Sequence, residues 1–321
     1  MTKSLEWSVI LPTYRRQDVL RQSLERLAAS DLPKENAEVL IYDNGSPQDS
    51  QPVVESFAAE LPIRYTNNGV GHGLGYSLTR GATEATGRMI LEMNDDALVP
   101  SDLFARLSEL FNGAPGVGVI GVRALEDGYH ERGSGIGRID PQSLEVIGNF
   151  DRTTDGPIDV EHVYGFCYAY MRDVVAKGAG HDQVLLARDY SSGTRIETDQ
   201  CLMARRAGFR VVYDGSIAVV HLAKPRGDMD EFSPRWRLNH IRNTLYLYLK
   251  HFGWFGRSCM GIRFCFLHDL GLLSFIKRPT KSNWLYFWIS IRARASGIWH
   301  WLRYVFGSSS SSLSERQLDR K

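Results

Sequence analysis

Cysteine is sparse in this chain. The four present, Cys167, Cys201, Cys259 and Cys265, fall into no CxxC or zinc-ligand spacing, so neither a disulfide framework nor a cysteine zinc site is expected. The stretch MTKSLEWSVILP lacks the apolar core of a signal peptide, and a reduced, cytoplasmic protein is the expectation. No run reaches eighteen apolar residues, the length at which a membrane span becomes credible. There is no excess of charge either: the formal net charge is +1, which argues against a protein built to coat nucleic acid. Acid is scarce in one region only. Between Arg235 and Phe306 there are twelve Lys or Arg residues and a single acid, Asp269, and six of the seven tryptophans lie beyond residue 230.

What is present is ordinary globular material, 43% hydrophobic and 23% charged over 321 residues. That is room for two domains, or for one large α/β domain with an appendage. Short apolar runs alternate with helical spacing. WSVIL (7–11) precedes PTYRR and a helix over about 17–29, in which Val19, Leu20, Leu24 and Leu27 recur at helical intervals. EVLIYD (38–43), IRYTN (63–67) and RMILEM (88–93) repeat the unit, the first two each followed by a loop and a helix. Strand–helix alternation with nearly continuous apolar strands predicts an α/β fold, a mostly parallel sheet flanked by helices, with function at the strand carboxyl ends. That rule collects Pro12, Thr13, Tyr14 and Arg15, then Asp43 to Asp49, Asn67 to Tyr76, and Asn94 to Asp96 along one edge. Further on, the pattern predicts a helix over about 101–112, a strand at 117–124, weak hairpin character to about Phe150, and one strand over 160–171. A helix follows from Glu197 to Ala207, ended by Gly208, then two strands, FRVVYD and SIAVVHL.

Five places carry chemistry. In RMILEMNDDALVP an apolar strand ends in the adjacent carboxylates Asp95 and Asp96, which repel each other unless a cation intervenes. A divalent ion completed by substrate phosphates is the functional reading, and a solvated turn capping the next helix is the alternative. Asp43 ends its strand where a carboxylate can accept an imide N–H of a nucleobase, and where an Asx turn serves equally. NNGVGHGLGY, with glycines at 69, 71, 73 and 75, allows backbone to approach a phosphate ahead of a helix N-terminus. Glu197 and Asp199 open a helix, where the dipole favours their ionised forms; they are candidate general bases or simple charge complements. His221, at a strand end, reads as a structural histidine or a metal ligand.

Taken in order, PTYRR, YDNGSPQDS, NNGVGHGLGY, MNDDA, GFC (165–167), GHDQ (180–183), ETDQCLMARRAG and VVH (219–221) resemble the inverting glycosyltransferases of family 2, over roughly residues 7–223. The resemblance implies a GT-A (Rossmann-like) fold. It implies a nucleotide-sugar donor (UDP-, dTDP- or GDP-sugar) held by Pro12, Thr13, Tyr14, Arg15, Asp43, Asn68, Gly73, Asn94 and Asp95. It implies Mg²⁺ or Mn²⁺ on Asp96 and Asp95 with His221 joining the shell, and Glu197 as base with Asp199 as the accompanying acid. Two departures stand out: Ile196 replaces a common acid, and the base is a glutamate. They motivate a second reading, a catalytically weak, membrane-bound partner that binds a nucleotide sugar. By analogy the nearest group is the rhamnosyl- and galactofuranosyltransferases, and the setting is bacterial surface-polysaccharide or lipid-linked glycan assembly.

Three segments are expected: a catalytic domain at 1–223, an aromatic and basic helical region at 224–306, and a flexible Ser-rich tail at 307–321. In the second, Trp284, Trp288, Ile291, Ala295, Ile298, Leu302 and Phe306 fall on one helical stripe, with Arg292 and Arg303 off it. An interfacial helix on an anionic inner leaflet is the expectation, and a glycan or polyprenyl-linked acceptor fits it. Packing against the catalytic core or a second subunit is the alternative, and nucleic-acid binding a third, weaker one.

Overall fold

The computed structural model describes residues 5–70, 72–126, 134–186, 194–223, 233–267 and 276–307. The chain divides into two compact units, Met1–Asp140 with Glu145–Glu231, and Pro141–Leu144 with Phe232–Lys321.

The first unit is built on one nine-stranded sheet. Strands β1 (Trp7–Thr13), β2 (Ala37–Asp43), β3 (Ile63–Asn67) and β4 (Met89–Met93) pair in parallel in the order β3-β2-β1-β4. The short β5 is Ala97–Leu98, and β6 (Val117–Leu125) runs parallel to the last long strand, β11 (Arg210–His221). Between β4 and β6 lies β10 (Cys167–Met171), antiparallel to both. β5 pairs antiparallel with the end of β11 and sets Ala97 opposite His221. β7 (Arg138–Asp140) and β8 (Glu145–Ile147) form a separate hairpin, and β9 (Ile158–Asp159) pairs with β11.

Side chains alternate across this sheet with the period of an extended chain. Trp7, Val9 and Leu11 join one core with Leu20, Leu24 and Leu27 of α1 (Gln17–Ala28), Val53 and Val54 of α2 (Gln51–Glu55), and Phe104 and Leu107. Ile10, Leu40 and Tyr42 face the other core with Leu78 and Ala82 of α3 (Leu74–Glu84). Phe104 and Leu107 belong to α4 (Leu103–Gly113), and Trp7 meets Phe104 edge-on at 5.1 Å. α5 (Arg172–Ala176) and α6 (Ile196–Arg206) contribute Val174, Cys201 and Ala204 to the second core.

Two expectations are corrected. Only Cys167–Met171 of the apolar run 160–171 is strand; Gly165 and its neighbours form the turn that leads into it. FRVVYD and SIAVVHL are one strand, β11, with a register irregularity between Asp214 and Ala218. The Gly215–Ser216 pair that reads as a turn in sequence is absorbed as a bulge. Residues 187–193 within VLLARDYSSGTR, and all but the first residue of the expected Ser-rich tail, lie outside the described residues.

A polar network threads the second core. Glu92 is 1% exposed on β4. Its Oε1 accepts from the Tyr170 hydroxyl at 2.6 Å and lies 2.7 Å from His181 Nε2; its Oε2 lies 2.7 Å from the Tyr168 hydroxyl. That hydroxyl is also 2.7 Å from Gln200 Oε1 on α6, so its single hydrogen serves one acceptor at a time and ties the helix to the sheet. Burial works against a charge on His181, but Glu92 outweighs it and raises the imidazole above its ordinary value.

In the second unit, α7 (Pro234–Phe252) starts at Ser233, whose hydroxyl accepts from Trp236 N at 3.1 Å, and ends at Gly253, φ +65°. α8 (Gly256–Phe266) and α9 (Lys281–Phe306) follow. α9 lays Ile289, Ala293 and Gly297 inward; a Cβ on Gly297 would be 3.0 Å from Arg242 O of α7. Arg294 is buried on the same side and donates from Nε to Cys265 O at 3.0 Å. The loop Pro141–Leu144 belongs to this unit: Tyr248 donates to Leu144 O at 2.8 Å, and Arg263 donates to the carbonyls of Pro141 and Gln142.

Glu92→Gln should cost about 3–5 kcal/mol, the usual result of breaking a buried ion pair, read by urea denaturation. The contribution of His181 is fully present below its unfolded pKa near 6.5 and is lost as pH rises through the raised folded value. The stability gap between wild type and variant should therefore narrow as pH is raised above about 6.5.

Candidate active site

β1, β2, β3, β4, β6 and β11 all end at the same edge of the sheet, and the residues beyond their last positions build the site. β1 ends at Thr13, whose Oγ1 donates to Asp95 Oδ2 at 2.9 Å. The chain then turns sharply: Arg15 sits at φ +63°, and its N–H is caught by Ser46 Oγ at 2.8 Å. That turn sends Arg16 back into the protein. Its guanidinium, 6% exposed, donates to Asp96 Oδ2 at 2.7 Å and to Asp95 Oδ1. A single guanidinium thus bridges the two adjacent carboxylates as a rigid fork. Asp95 is fully buried under Thr13 and Arg16, and Asp96 lies at the more open side.

Asp96 Oδ1 and His221 Nε2 approach to 3.5 Å, brought together by the β5–β11 pairing and by Leu222 N donating to Asp96 O. On the other side of the ring, His221 Nδ1 lies 2.7 Å from Glu126 Oε2, which also accepts from the Tyr164 hydroxyl at 3.3 Å. Burial opposes the imidazolium, yet hydrogen bonds and charge from Asp96 and Glu126 outweigh it and push His221 up to about 9. Tyr164 and Phe166 flank the ring at 5.7 and 4.8 Å.

Glu197, in the first turn of α6, lies against the turn before β10. A Cβ on Gly165 would come 3.0 Å from Glu197 Oε2, so glycine is what lets this carboxyl settle on the backbone. Desolvation pushes the Glu197 carboxyl above the usual glutamate range, against smaller opposing effects that include its own backbone N–H and Arg195. Burial and the negative charges of Glu126, Glu197 and Asp96 raise the Tyr164 phenol well above its ordinary value. Asp199 is fully buried on the same helix turn, its N–H donating to Arg195 O at 3.0 Å.

Along the β2 and β3 ends, Asp43 is fully buried; Oδ1 accepts from Ser46 N at 2.7 Å and Oδ2 from the Tyr65 hydroxyl at 3.4 Å. Asn68 donates to Asn44 Oδ1 at 3.1 Å and receives Arg80 Nη1 at 3.0 Å. Gly73 precedes the first turn of α3, while Gly71 lies outside the described residues. Pro12 is paired in the sheet opposite Tyr42, Tyr14 is 8% exposed, and the Arg15 guanidinium stacks over the Tyr14 ring at 4.8 Å. Asn94 donates its N–H to Phe166 O at 2.7 Å. Thr13, Asp95, Asp96 and His221 meet in one cluster with Arg16 and Glu126. Asp43 and Asn68 form a second polar group at the β2 and β3 ends, and Glu197 and Asp199 open α6.

Sequence reasoning passed over Arg16, Glu126 and Tyr164. Arg16 is the second arginine of PTYRR, and only the backbone turn at Arg15 distinguishes the two. Glu126 is one residue beyond β6, so the strand-end rule applied to that strand would have found it. Asp96 offers a carboxylate oxygen, the donor type that suits Mn²⁺ or Mg²⁺, and His221 an imidazole nitrogen, which Mg²⁺ accepts less readily. Among the described residues no group of three or more His, Cys, Asp or Glu is placed to hold an ion. A cation fits here only with donor phosphates and water completing its shell, which is how Mg²⁺ is commonly bound.

The sequence profile of glycosyl transferase family 2 matches residues 8–178, more than half of the chain. The chain belongs to that family. Its fold is that of the GT-A glycosyltransferases: the structure of Staphylococcus aureus TarS 1-349 in complex with UDP-GlcNAc superposes with a TM-score of 0.62, over 94% of this chain and 92% of that one, at 14% identity. Mannosyltransferase PcManGT from Pyrobaculum calidifontis, in complex with GDP-Man and Mn²⁺, gives 0.55 over 94% and 88% at 15% identity. A dolichol-phosphate mannosyltransferase of Pyrococcus furiosus is 26% identical over 124 residues, 39% of this chain and 35% of that protein. The chain thus spans about a third of that relative.

Arg16→Met leaves two buried carboxylates without their counter-charge. It should cost about 3–5 kcal/mol in chemical denaturation, with Arg16→Lys recovering only part because an ammonium cannot span both acids.

Proposed function

We propose that this glycosyltransferase moves a sugar from a nucleoside-diphosphate donor to an acceptor hydroxyl in one inverting displacement, with Glu197 as general base. The observation that carries the reading is the placement of Glu197 against Gly165, beside Tyr164, whose hydroxyl reaches the Glu126–His221–Asp96 cluster. Desolvation raises the Glu197 carboxyl above the usual glutamate range, which makes its carboxylate a stronger base toward an acceptor proton.

In this reading the acceptor hydroxyl attacks the anomeric carbon while its proton passes to Glu197. The bond from that carbon to the diphosphate breaks, and the negative charge moves onto the leaving oxygens. Asp96 and His221 would hold a Mg²⁺ or Mn²⁺ ion, which supplies Lewis-acid stabilisation of the developing charge when bound. Arg16 holds Asp95 and Asp96 in place, Thr13 locks Asp95, and Glu126 orients the His221 ring by its hydrogen bond to Nδ1. The donor nucleotide and phosphates would lie along Pro12, Thr13, Tyr14, Arg15, Asp43, Asn68, Gly73 and Asn94. Asp199 braces the first turn of the base helix. The catalytic region is assigned to 1–223 and the helical region to 224–306.

The acceptor class we assign is a glycan or a polyprenyl-linked sugar in bacterial surface-polysaccharide assembly. The similarity to a dolichol-phosphate mannosyltransferase supports a lipid-linked acceptor. dTDP-rhamnose and UDP-galactofuranose are the first donors to test, because the sequence motifs most resemble enzymes of those sugars. No described helix is long and apolar enough to cross a membrane, so contact with the inner face of the cell membrane would be peripheral.

A thermal-shift screen of UDP-, dTDP- and GDP-sugars with Mn²⁺ should single out one nucleotide, since a ligand at about 100 times its Kd stabilises by about 2.7 kcal/mol. Glu197→Gln should lower transfer of that donor by about 10²- to 10⁴-fold and leave the donor's thermal shift intact. Loss of donor binding together with transfer would remove Glu197 from the role of base. Glu126→Gln should weaken Mn²⁺ affinity by about 10- to 100-fold in titrations followed by electron paramagnetic resonance, the usual effect of losing the carboxylate behind a ligating histidine. Unchanged affinity would leave Glu126 with no part in metal binding.

A further inference from the structure

Exposed apolar surface is distributed very unevenly. Of the large apolar side chains that stand exposed among the described residues, Val70, Leu125 and Ile158 belong to the first unit and all the rest to the second. Much of that surface lies along α9. Trp284, Trp288 and Ile291 are 45%, 46% and 38% exposed, Trp299 is 60% exposed, and Phe306 at the helix end is 75% exposed. At 3.6 residues per turn these positions fall on one face, opposite Ile289, Ala293 and Gly297, which pack inward. The stripe therefore points away from the helices of its own unit and runs about 33 Å, at 1.5 Å per residue from Trp284 to Phe306. Arg292 and Arg303, both exposed, border it along one edge with Lys281.

Charge chooses the occupant. From Arg235 to Phe306 the chain has twelve Lys or Arg and one acid, Asp269. A second copy docked face to face on α9 would bring basic residues against basic residues, with almost no carboxylate to relieve them. A surface both apolar in depth and anionic at its boundary satisfies the stripe and its basic edge together: aromatic side chains enter the headgroup region while Arg and Lys remain among phosphates. We propose that α9 lies in the plane of an anionic lipid leaflet, with Trp284, Trp288, Ile291 and Trp299 inserted and Lys281, Arg292 and Arg303 on the headgroups. The inference concerns attachment alone and does not depend on how the sugar is transferred.

Co-sedimentation of the full chain with vesicles of phosphatidylcholine containing 30% phosphatidylglycerol, and with phosphatidylcholine vesicles alone, tests it. Binding is expected to the anionic vesicles and to fall in 0.5 M NaCl. Arg292→Gln and Arg303→Gln should each lower partitioning about fivefold, as for one basic residue at an anionic surface. The double variant Trp288→Ser, Ile291→Ser should abolish it, with an unchanged circular-dichroism melt because both side chains face outward. No binding to the anionic vesicles overturns the proposal. So does equal binding to both vesicle types, or a wild-type dimer in light scattering that becomes monomeric in the double variant, which would make the stripe a self-pairing face.

Discussion

The site depends on one buried ion pair. Two carboxylates in succession at a strand end are unstable neighbours, and burying them raises the cost of both charges. Arg16 meets that cost by reaching Asp95 and Asp96 with separate nitrogens, and Thr13 secures the remaining oxygen of Asp95. The pair joins the loop after β1 to the loop after β4, two strands already adjacent in the sheet. Asp96 directs one oxygen to Arg16 and the other toward His221.

A second buried charge pair supports the opposite wall. Glu92 and His181 sit beneath α6, and the tyrosines of β10 carry hydrogen bonds from Glu92 toward Gln200. Three tyrosine and histidine donors converge on one carboxylate, which satisfies it without solvent. The result is that the inner side of α6 is tied to the sheet while Glu197 rests on Gly165 at the outer edge. Rigidity under the helix and glycine in front of it together place Glu197 by contacts rather than by the loop that precedes it.

The second unit follows a different logic. Its interior is conventional, with α9 packed along α7 through small residues and Arg294 bonded to backbone carbonyls. Its exterior is not, because aromatic side chains that could have been buried remain outside, next to unbalanced basic charge. Such a surface is costly in water and calls for a partner of opposite character. Among the described residues of the first unit, apolar exposure falls on scattered single residues.

Much of this could be read from sequence. The period-2 and period-3.6 patterns located β1 to β4, β6, α1, α4 and α6 within a residue or two, because burial on a sheet face or a helix stripe is a local property of the residues themselves. Family 2 membership was legible for the same reason, since its motifs sit at strand ends in fixed order. Where sequence reading went astray, the deciding fact was a long-range contact. Residues 160–166 are apolar enough for a strand, but they pass over Glu197 as a turn, and only Cys167–Met171 finds partners in β4 and β6. The turn-like Gly215–Ser216 is held inside β11 as a bulge by pairing on both sides of it. Arg16 and Arg15 are indistinguishable as letters, and a single left-handed residue decides which one is buried with Asp95 and Asp96. Sequence alone determined the class of fold, the family and the acids at the strand ends. Tertiary structure alone decided which cation lies between those acids, which carboxylate stands behind His221, and which side of α9 is left uncovered, because each is a contact between residues far apart in the chain or a question of what packs where.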